Sequence, residues 1–378
     1  MGPPETSEPN FGPFVLREEL GRGAMAIVYR AESRKVDSYG RTVALKRLHP
    51  DNDFEVDFDL VRAFIEEAHL ATRFDHPNIA KTHSLGKADG SYFIEMEYVN
   101  GPTLHQLARQ CRIAGAMPIG VVIRILVQIC DALEHVHNLC DNAGKPMDLV
   151  HRDVSLTNII VGDDGVVKLI DFGIVKGHSQ ARTEAGLIKG KLAYVAPEYL
   201  AGALDRRADL FAVGVIAHEL LTSNRLFYGK NDLDTLTRLR QLRIPCPSRS
   251  RRDVPPALDD IVMRALERAP DQRWQTAAEL RAALVALDTP LDPATIHEWI
   301  SWAFACEAPK VSQMLRVLDS LDVPVSRAPT SIEVDLETQL IDSEPVAALP
   351  TLPPAPRSRL RAALSAIVDV FRRRVAVI

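Results

Sequence analysis

The chain has 378 residues, enough for one large domain with appendages or for two average ones. Its formal net charge of −5 is too mild to make nucleic acid the main partner, and its 46% hydrophobic and 25% charged residues are the balance of a globular chain. Five cysteines, at positions 111, 130, 140, 246 and 306, occur singly with no C-x-x-C pair, so neither a zinc site nor a disulfide framework is indicated.

The opening "MGPPETSEPNFGP" is polar and rich in proline; residues 1–13 are expected to be disordered and to carry no secretory signal. From Phe14 to Glu32 apolar and polar residues alternate around "GRGAMA", the pattern of two strands joined by a glycine-rich turn. "RTVALKRL" (41–48) reads as a third strand. In "DLVRAFIEEAHLATRF" (59–74), Val61, Phe64, Ile65, Ala68 and Ala71 form one helical stripe, and Arg62, Glu66, His69 and Arg73 form the opposite one. "SYFIEMEYV" is again a strand, and after a short connector near Val99–Gly101 helical patterns dominate, notably 119–137 and 208–221. A small strand-rich half (14–98) therefore precedes a larger helical half (99–288). Two short helical stretches follow within 289–321, the first carrying Trp299 and Trp302; an acidic, proline-rich linker occupies 322–358. Apolar runs such as "LFAVGVIA" (210–217) stop far short of the roughly 20 residues a spanning helix needs, so a cytoplasmic location is expected.

Taken singly, the residues with chemical potential are ambiguous. Gly21 and Gly23 lack a Cβ, so the turn between two strands could close over a phosphate and offer it N–H groups, but a plain hairpin would look the same. Lys46, on a strand, matters only if a carboxylate waits for it. Helical periodicity places Glu66 on the water-facing stripe and Glu67 inward, and an inward carboxylate needs a cation. "VHRDVSLTNIIV" (150–161) puts Asp153 and Asn158 on one tight loop, and "KLIDFG" puts Asp171 on the next. Together they offer a possible base and two oxygen ligands suited to a hard divalent ion, the parts that transfer of a phosphoryl group to a hydroxyl requires.

These motifs occur in order, together with "HPNI", "VAPE" (195–198), "DLFAVGV" (209–215) and "DQRW" (271–274). Over residues 14 to about 287 the chain resembles the eukaryotic-like (Hanks-type) protein kinases, specifically the bacterial serine/threonine kinases. The resemblance implies an α+β, bilobal protein kinase fold with a small β-rich N-lobe and a larger helical C-lobe. It implies an ATP-dependent kinase acting on protein hydroxyls in bacterial signalling, with ATP and Mg2+ as cofactors. The alternative is a nucleotide-binding pseudokinase scaffold, which the presence of Lys46, Asp153, Asn158 and Asp171 disfavours; a small-molecule phosphotransferase of related fold would lack the VAPE segment.

By the same resemblance Gly21 and Gly23 would cover the phosphates, Val28 and Ala44 would line the nucleotide site, and Lys46 would hold the α and β phosphates while pairing with Glu67. Met96 would stand behind the adenine, with Glu97 to Val99 as the hinge. Asp153 would accept or orient the acceptor proton, Asn158 and Asp171 would hold magnesium, Glu198 would pair with Arg273, and Asp209 would brace the catalytic loop.

Two departures stand out. Ser155 occupies the position where most serine/threonine kinases carry a lysine, and Gly190-Lys191 replaces the Gly-Thr pair whose threonine that lysine normally meets. The exchange suggests that Lys191 reaches back to supply the missing charge while Ser155 takes over the hydrogen bond, although Lys189 lies close enough to serve instead and a solvated Lys191 is the plain alternative. The second departure is "NLCDNAGKPMDL" (138–149), longer than the usual turn and expected to be a surface hairpin. Ser155 and Thr157 stand where a tyrosine kinase would place an arginine, which favours serine or threonine as acceptor.

Ser179, Thr183 and Tyr194 are the hydroxyls between Asp171 and Glu198, and Thr183, beside Arg182, is the expected autophosphorylation site, balancing Arg152. In the tail, Leu360, Leu364, Ile367, Phe371, Val375 and Ile378 share one face of a basic amphipathic helix (359–378). That helix could associate with a copy of itself, dock on a protein partner or lie on the inner membrane surface; the protein substrates are not legible.

Overall fold

The computed structural model describes residues 10–305 apart from Ala24 and segments 50–57, 173–191, 202–203, 242 and 288–292. The chain divides into two units, Met1–Cys306 and Glu307–Ile378, and the described residues all lie in the first. Lys191, Thr183, Ser179, Lys189, Cys306, the linker at 322–358 and the amphipathic segment 359–378 lie outside the described residues.

The first half of the unit is a six-stranded sheet built from β1 (Asn10–Phe11), β2 (Phe14–Arg22), β3 (Ala26–Ser33), β4 (Thr42–Leu48), β5 (Thr82–Ala88) and β6 (Ser91–Glu97). The strand order is β1-β2-β3-β4-β6-β5, antiparallel throughout. β1 starts inside the stretch expected to be disordered. Phe11 is driven there by burial: its ring meets Phe93 edge-on, and Gly12 turns the chain with a φ of +49° so that β1 can fold back on β2. β5 also escaped the sequence reading. Its segment, "THSLGKA", has too few apolar residues to alternate, and its identity comes from pairing with β6.

Helix α1 (Phe58–Ala71) packs beside this sheet by the stripe its periodicity marks. Phe64 and Ala68 are buried with Ala26, Leu48 and Ile94, while Arg62 and Glu66 pair with each other at the surface. Arg73 is exposed as expected and also contacts the 138–149 hairpin at the surface, since it lies just past the end of the helix at Ala71.

The connector after β6 lies tight against the helical half. A Cβ on Gly101 would sit 2.0 Å from the Val161 carbonyl oxygen, so glycine is the residue that lets hinge and loop touch. There Val161 N–H donates to the Pro102 carbonyl at 3.0 Å and Asp163 N–H to the Asn100 carbonyl at 2.8 Å. The larger half comprises α2 (Leu104–Ala114), α3 (Ile119–His137), the ribbon of β7 (Ile159–Val161) and β8 (Val167–Leu169), α4 (Arg207–Thr222), α5 (Asp232–Gln241), α6 (Pro256–Ala265), α7 (Ala277–Val285) and α8 (Pro293–Ala305). α3 and α4 are buried over nearly their whole length and form the axis of one continuous core. α8 belongs to that core. Ile296, Trp299 and Ala303 are buried in it, and the Gln110 side chain on α2 donates to the Ala303 carbonyl at 2.6 Å, whereas Trp302 stays half-exposed.

Glu198 meets Arg273 in a two-pronged ion pair, both N···O distances being 2.7 Å, and the arginine is wholly enclosed. Arg273 also donates to the carbonyls of Glu267, Arg268 and Arg207, so it joins the VAPE segment to two further chain stretches. Removing the carboxylate leaves a buried guanidinium with carbonyls alone. Glu198→Ala should therefore destabilise the unit by about 3 kcal/mol, the low end for a broken buried pair. Urea unfolding monitored by tryptophan fluorescence measures this, and an unchanged midpoint would contradict it.

Candidate active site

Lys46 sits in the middle of β4, paired in register with Val28 on β3 and Ile94 on β6. Its ammonium is buried and lies 2.7 Å from Glu67 Oε1 on α1 and 2.9 Å from Asp171 Oδ1 beyond β8. Burial alone would pull the ammonium's pKa down; the charges of Asp171 and Glu67, with their hydrogen bonds, more than reverse this and hold it well above the ordinary lysine value. The result is a fixed cation joining three elements. Periodicity chose Glu67 over Glu66 correctly in space, but the contact with Asp171 had no sequence signal, since 125 residues separate the partners.

The loop from His151 to Asn158 is held from below by Asp209, at the start of α4. Asp209 Oδ2 accepts the His151 N–H at 2.7 Å and Oδ1 accepts the Arg152 N–H at 2.9 Å, while His137 Nε2 donates to Oδ2 at 2.8 Å. Burial pushes this carboxyl up, yet the hydrogen bond from His137 and the fields of His137 and His151 outweigh it, leaving Asp209 below the usual aspartate range. The anchoring offsets strain. Arg152 and Asp171 adopt left-handed backbone conformations, with φ of +65° and +52°, which cost a non-glycine residue about 1–2 kcal/mol each. His137 as the partner of Asp209 was not read from the sequence. Both sit on apolar helices, where a buried polar residue is the signal that could have found the pair.

Asp153 and Asn158 face each other across the loop: Asn158 Nδ2 donates to the Asp153 carbonyl at 2.9 Å. This bond uses the amide's donor and leaves its oxygen as the end that can serve a cation. With the Asp171 carboxylate it makes a pair of hard oxygen donors, which suits a divalent ion that takes its remaining ligands from phosphates and water. Among the described residues no group of three or more His, Cys, Asp or Glu could hold a metal without such help. Ser155 is buried beside Asp153 and shares a hydrogen bond with the Thr157 hydroxyl at 3.1 Å; both Ser155 and Asp153 line a cavity of about 50 Å3 together with Tyr194 and Tyr199.

Above the loop, Gly21 pairs with Val28, and the turn closes through Gly23 N–H to the Ala26 carbonyl at 2.9 Å. A Cβ on Gly21 would meet nothing within 4 Å, and one on Gly23 only the Ala26 carbonyl at 3.5 Å. The chain itself therefore does not require glycine at either position. Ala44 and Met96 are directly opposite each other on β4 and β6. The Glu97 carboxylate is taken up by Lys168 at 2.9 Å and by the Lys81 N–H at 3.0 Å, whereas among the described residues no hydrogen bond reaches the N–H or carbonyl of Val99. Tyr194, one of the hydroxyls in the activation segment, is not an accessible one. Its OH donates to Glu219 at 2.8 Å and accepts from Arg225 at 3.1 Å, and burial together with the Glu219 charge raises its pKa.

The Protein kinase domain family profile matches residues 14–284. The chain is 38% identical over 301 residues to the tyrosine-protein kinase MasK of Myxococcus xanthus, covering 75% of this chain and 46% of MasK. It is 32% identical to the serine/threonine-protein kinase PrkC of Bacillus subtilis, covering 72% of this chain and 40% of PrkC. Among solved structures, the PknI kinase domain of Mycobacterium tuberculosis superposes with a TM-score of 0.54 at 30% identity, covering 74% of this chain and 98% of that domain. The chain belongs to the protein kinase family and has the bilobal protein kinase fold. It spans less than half the length of MasK and of PrkC. Among the described residues no helix is long and apolar enough to cross a membrane.

The state of Asp209 sets a pH dependence. Because its folded pKa is depressed, its contribution to stability is present above the unfolded aspartate value, about 3.9, and is lost as pH falls through the folded value. Asp209→Asn should therefore be clearly less stable than the unaltered protein at pH 7, and the gap should narrow as pH drops below about 4. Chemical denaturation of both proteins between pH 7 and pH 3 would show this; a gap that stays constant would contradict it.

Proposed function

We propose that the protein is an ATP-dependent serine/threonine protein kinase that transfers the γ-phosphoryl group to protein hydroxyls and to itself. The observation that carries this is the enclosed Lys46, clamped between carboxylates from α1 and from the segment after β8. A purely structural lysine would gain as much from one partner. Two partners fix its direction, and Lys46 is in register with Val28, itself the strand partner of Gly21.

In this reading Ala44 and Val28 would line the site of the ATP base and Met96 would stand behind it, with the backbone of Glu97 to Val99 offering hydrogen bonds. Gly21 and Gly23 would let the turn approach the phosphates. The glycines are then explained by the nucleotide rather than by the chain, in keeping with the room a Cβ would find there. Lys46 would exchange part of its contact with Asp171 for α and β phosphate oxygens. Asn158 and Asp171 would hold magnesium, which when bound neutralises phosphate charge. Asp153 would orient the incoming hydroxyl and take its proton as the new O–P bond forms and the bond from the γ phosphorus to the β,γ-bridging oxygen breaks with ADP leaving, its loop held by Asp209. Transfer of this kind relies on positioning and charge neutralisation, and a loop with anchored backbone and a locked cation supplies both without reorganising.

Serine and threonine acceptors follow from Ser155 and Thr157, which leave the loop without the arginine of tyrosine kinases. PrkC bears a serine/threonine kinase name and MasK a tyrosine kinase name, so phosphoamino-acid analysis of the product is the discriminating observation. Purified protein given γ-labelled ATP and Mg2+ should label itself and a generic acceptor, and Asp153→Asn should lower the rate by about 10²- to 10⁴-fold. Phosphotyrosine as the main product would overturn the acceptor assignment. Absence of any labelling would overturn the enzyme.

Lys191 would supply the cation that Ser155 lacks, reaching the transferring group from the activation segment. Thr183 would be the site of autophosphorylation. Lys191→Met should cut turnover by about 10²- to 10³-fold with little change in ATP binding. Near-normal turnover in that variant, measured beside Lys189→Met, would discard the exchange.

A further inference from the structure

The insertion at 138–149 is a closed hairpin with a preset tip. Met147 N–H donates to the Leu139 carbonyl at 3.0 Å, Asp141 N–H to the Lys145 carbonyl at 2.8 Å, and Cys140 pairs with Pro146. The Asp141 carboxylate accepts the N–H groups of Ala143 at 2.8 Å and Lys145 at 2.9 Å, and Gly144 takes the left-handed turn at φ +78°. Leu139 and Leu149, at its two feet, pack against the main core.

One side chain from outside grips both strands. Arg73, just beyond α1, donates through Nη2 to the Cys140 carbonyl at 2.8 Å and through Nη1 to Met147 Sδ at 3.2 Å. Its neighbour Phe74 stacks on Phe172 with ring centroids 4.3 Å apart, and Phe172 in turn lies 4.6 Å from the His151 ring. The hairpin runs through Val150 directly into His151. The contacts thus close a circuit from hairpin to catalytic loop, to Phe172 beside Asp171, to Phe74, to Arg73 and back to the hairpin. Helix α1, with Glu67 one turn before its end, hangs from this circuit.

We propose that the hairpin and Arg73 form a brace that pins the C-terminal end of α1 to the catalytic loop, and so keeps Glu67 and Asp171 about Lys46. Arg73 and Asp141 are positioning residues; neither touches the reacting groups. The planar guanidinium is suited to the task because it presents several donors in a fixed fork, so one side chain can hold two strands at once. The brace is a mechanical statement about the chain, and only its consequence for ATP use rests on the kinase reading given above.

The test is hydrogen exchange of the full chain without nucleotide, in the unaltered protein, Arg73→Ala, Arg73→Lys, Asp141→Ala, the Arg73/Asp141 double variant, and Arg62→Ala as a control on the same helix. Amides of residues 66–74 and 168–172 should exchange about three- to tenfold faster in Arg73→Ala and in Asp141→Ala. The double variant should be no faster than the worse single one, Arg73→Lys should fall between, and Arg62→Ala, which loses its surface pair with Glu66, should change exchange by no more than about twofold. Within the same set, the KM for ATP should rise in the order of the exchange rates. Unchanged exchange at 66–74 in Arg73→Ala, or acceleration only within 138–149, would overturn the brace. Should Arg73→Ala fail to fold, Asp141→Ala decides by the same two regions. If no protein in the set transfers phosphate, the kinase reading falls, and the exchange data still judge the brace.

Discussion

Everything at the site depends on one buried ammonium shared by two carboxylates. Lys46 is carried by the sheet, Glu67 by the helix beside it, and Asp171 by the segment beyond the β7–β8 ribbon. A charge removed from water is tolerated only when it is paired and hydrogen-bonded, so three elements that share little sequence proximity must meet at one point. The requirement works in both directions. The elements place the charges, and the charges penalise any arrangement in which the elements drift apart.

A second carboxylate, Asp209, performs the matching task for the larger lobe. It spends its acceptor capacity on two backbone N–H groups and one imidazole, and in return the loop bearing Asp153 can hold Arg152 in a left-handed conformation. Strain at such a loop persists only where the surroundings over-determine it. Here the over-determination is visible as a buried anion that accepts from the backbone of His151 and Arg152 in the catalytic loop and from His137 on α3. Glu198 and Arg273 repeat the device further out, where an enclosed guanidinium gathers the end of the activation segment, the first residue of α4 and the turn after α6.

The peripheral features take on a purpose in this setting. α8 lies beyond the residues that match the family profile, yet it buries Trp299 against the same core and is tied to α2 through Gln110. The hairpin at 138–149 lies where a short turn would suffice. In both cases extra chain makes contacts near the cleft, α8 with α2 in the larger half and the hairpin with Arg73 just past α1 in the smaller one.

Local pattern was enough for much of this. The helix at 119–137 was legible to the residue, because a long apolar run with 3.6-residue period leaves no other solution. Glu67 was separable from Glu66 by periodicity alone, and the ordered motifs around Asp153, Asn158 and Asp171 pointed to phosphoryl transfer before any coordinates. β5 and β1 were not legible, since a polar strand and a two-residue strand are defined by their partners rather than by their own residues. Nor were the contacts of Lys46 with Asp171, of His137 with Asp209, or of Arg73 with the hairpin. Each joins residues from 67 to 125 positions apart, a separation over which sequence carries no geometric record. The sequence determined which chemical groups the protein possesses and which face of each helix turns inward; only the packed structure decided which charges would share a dry space, because that follows from the meeting of surfaces and not from the order of residues.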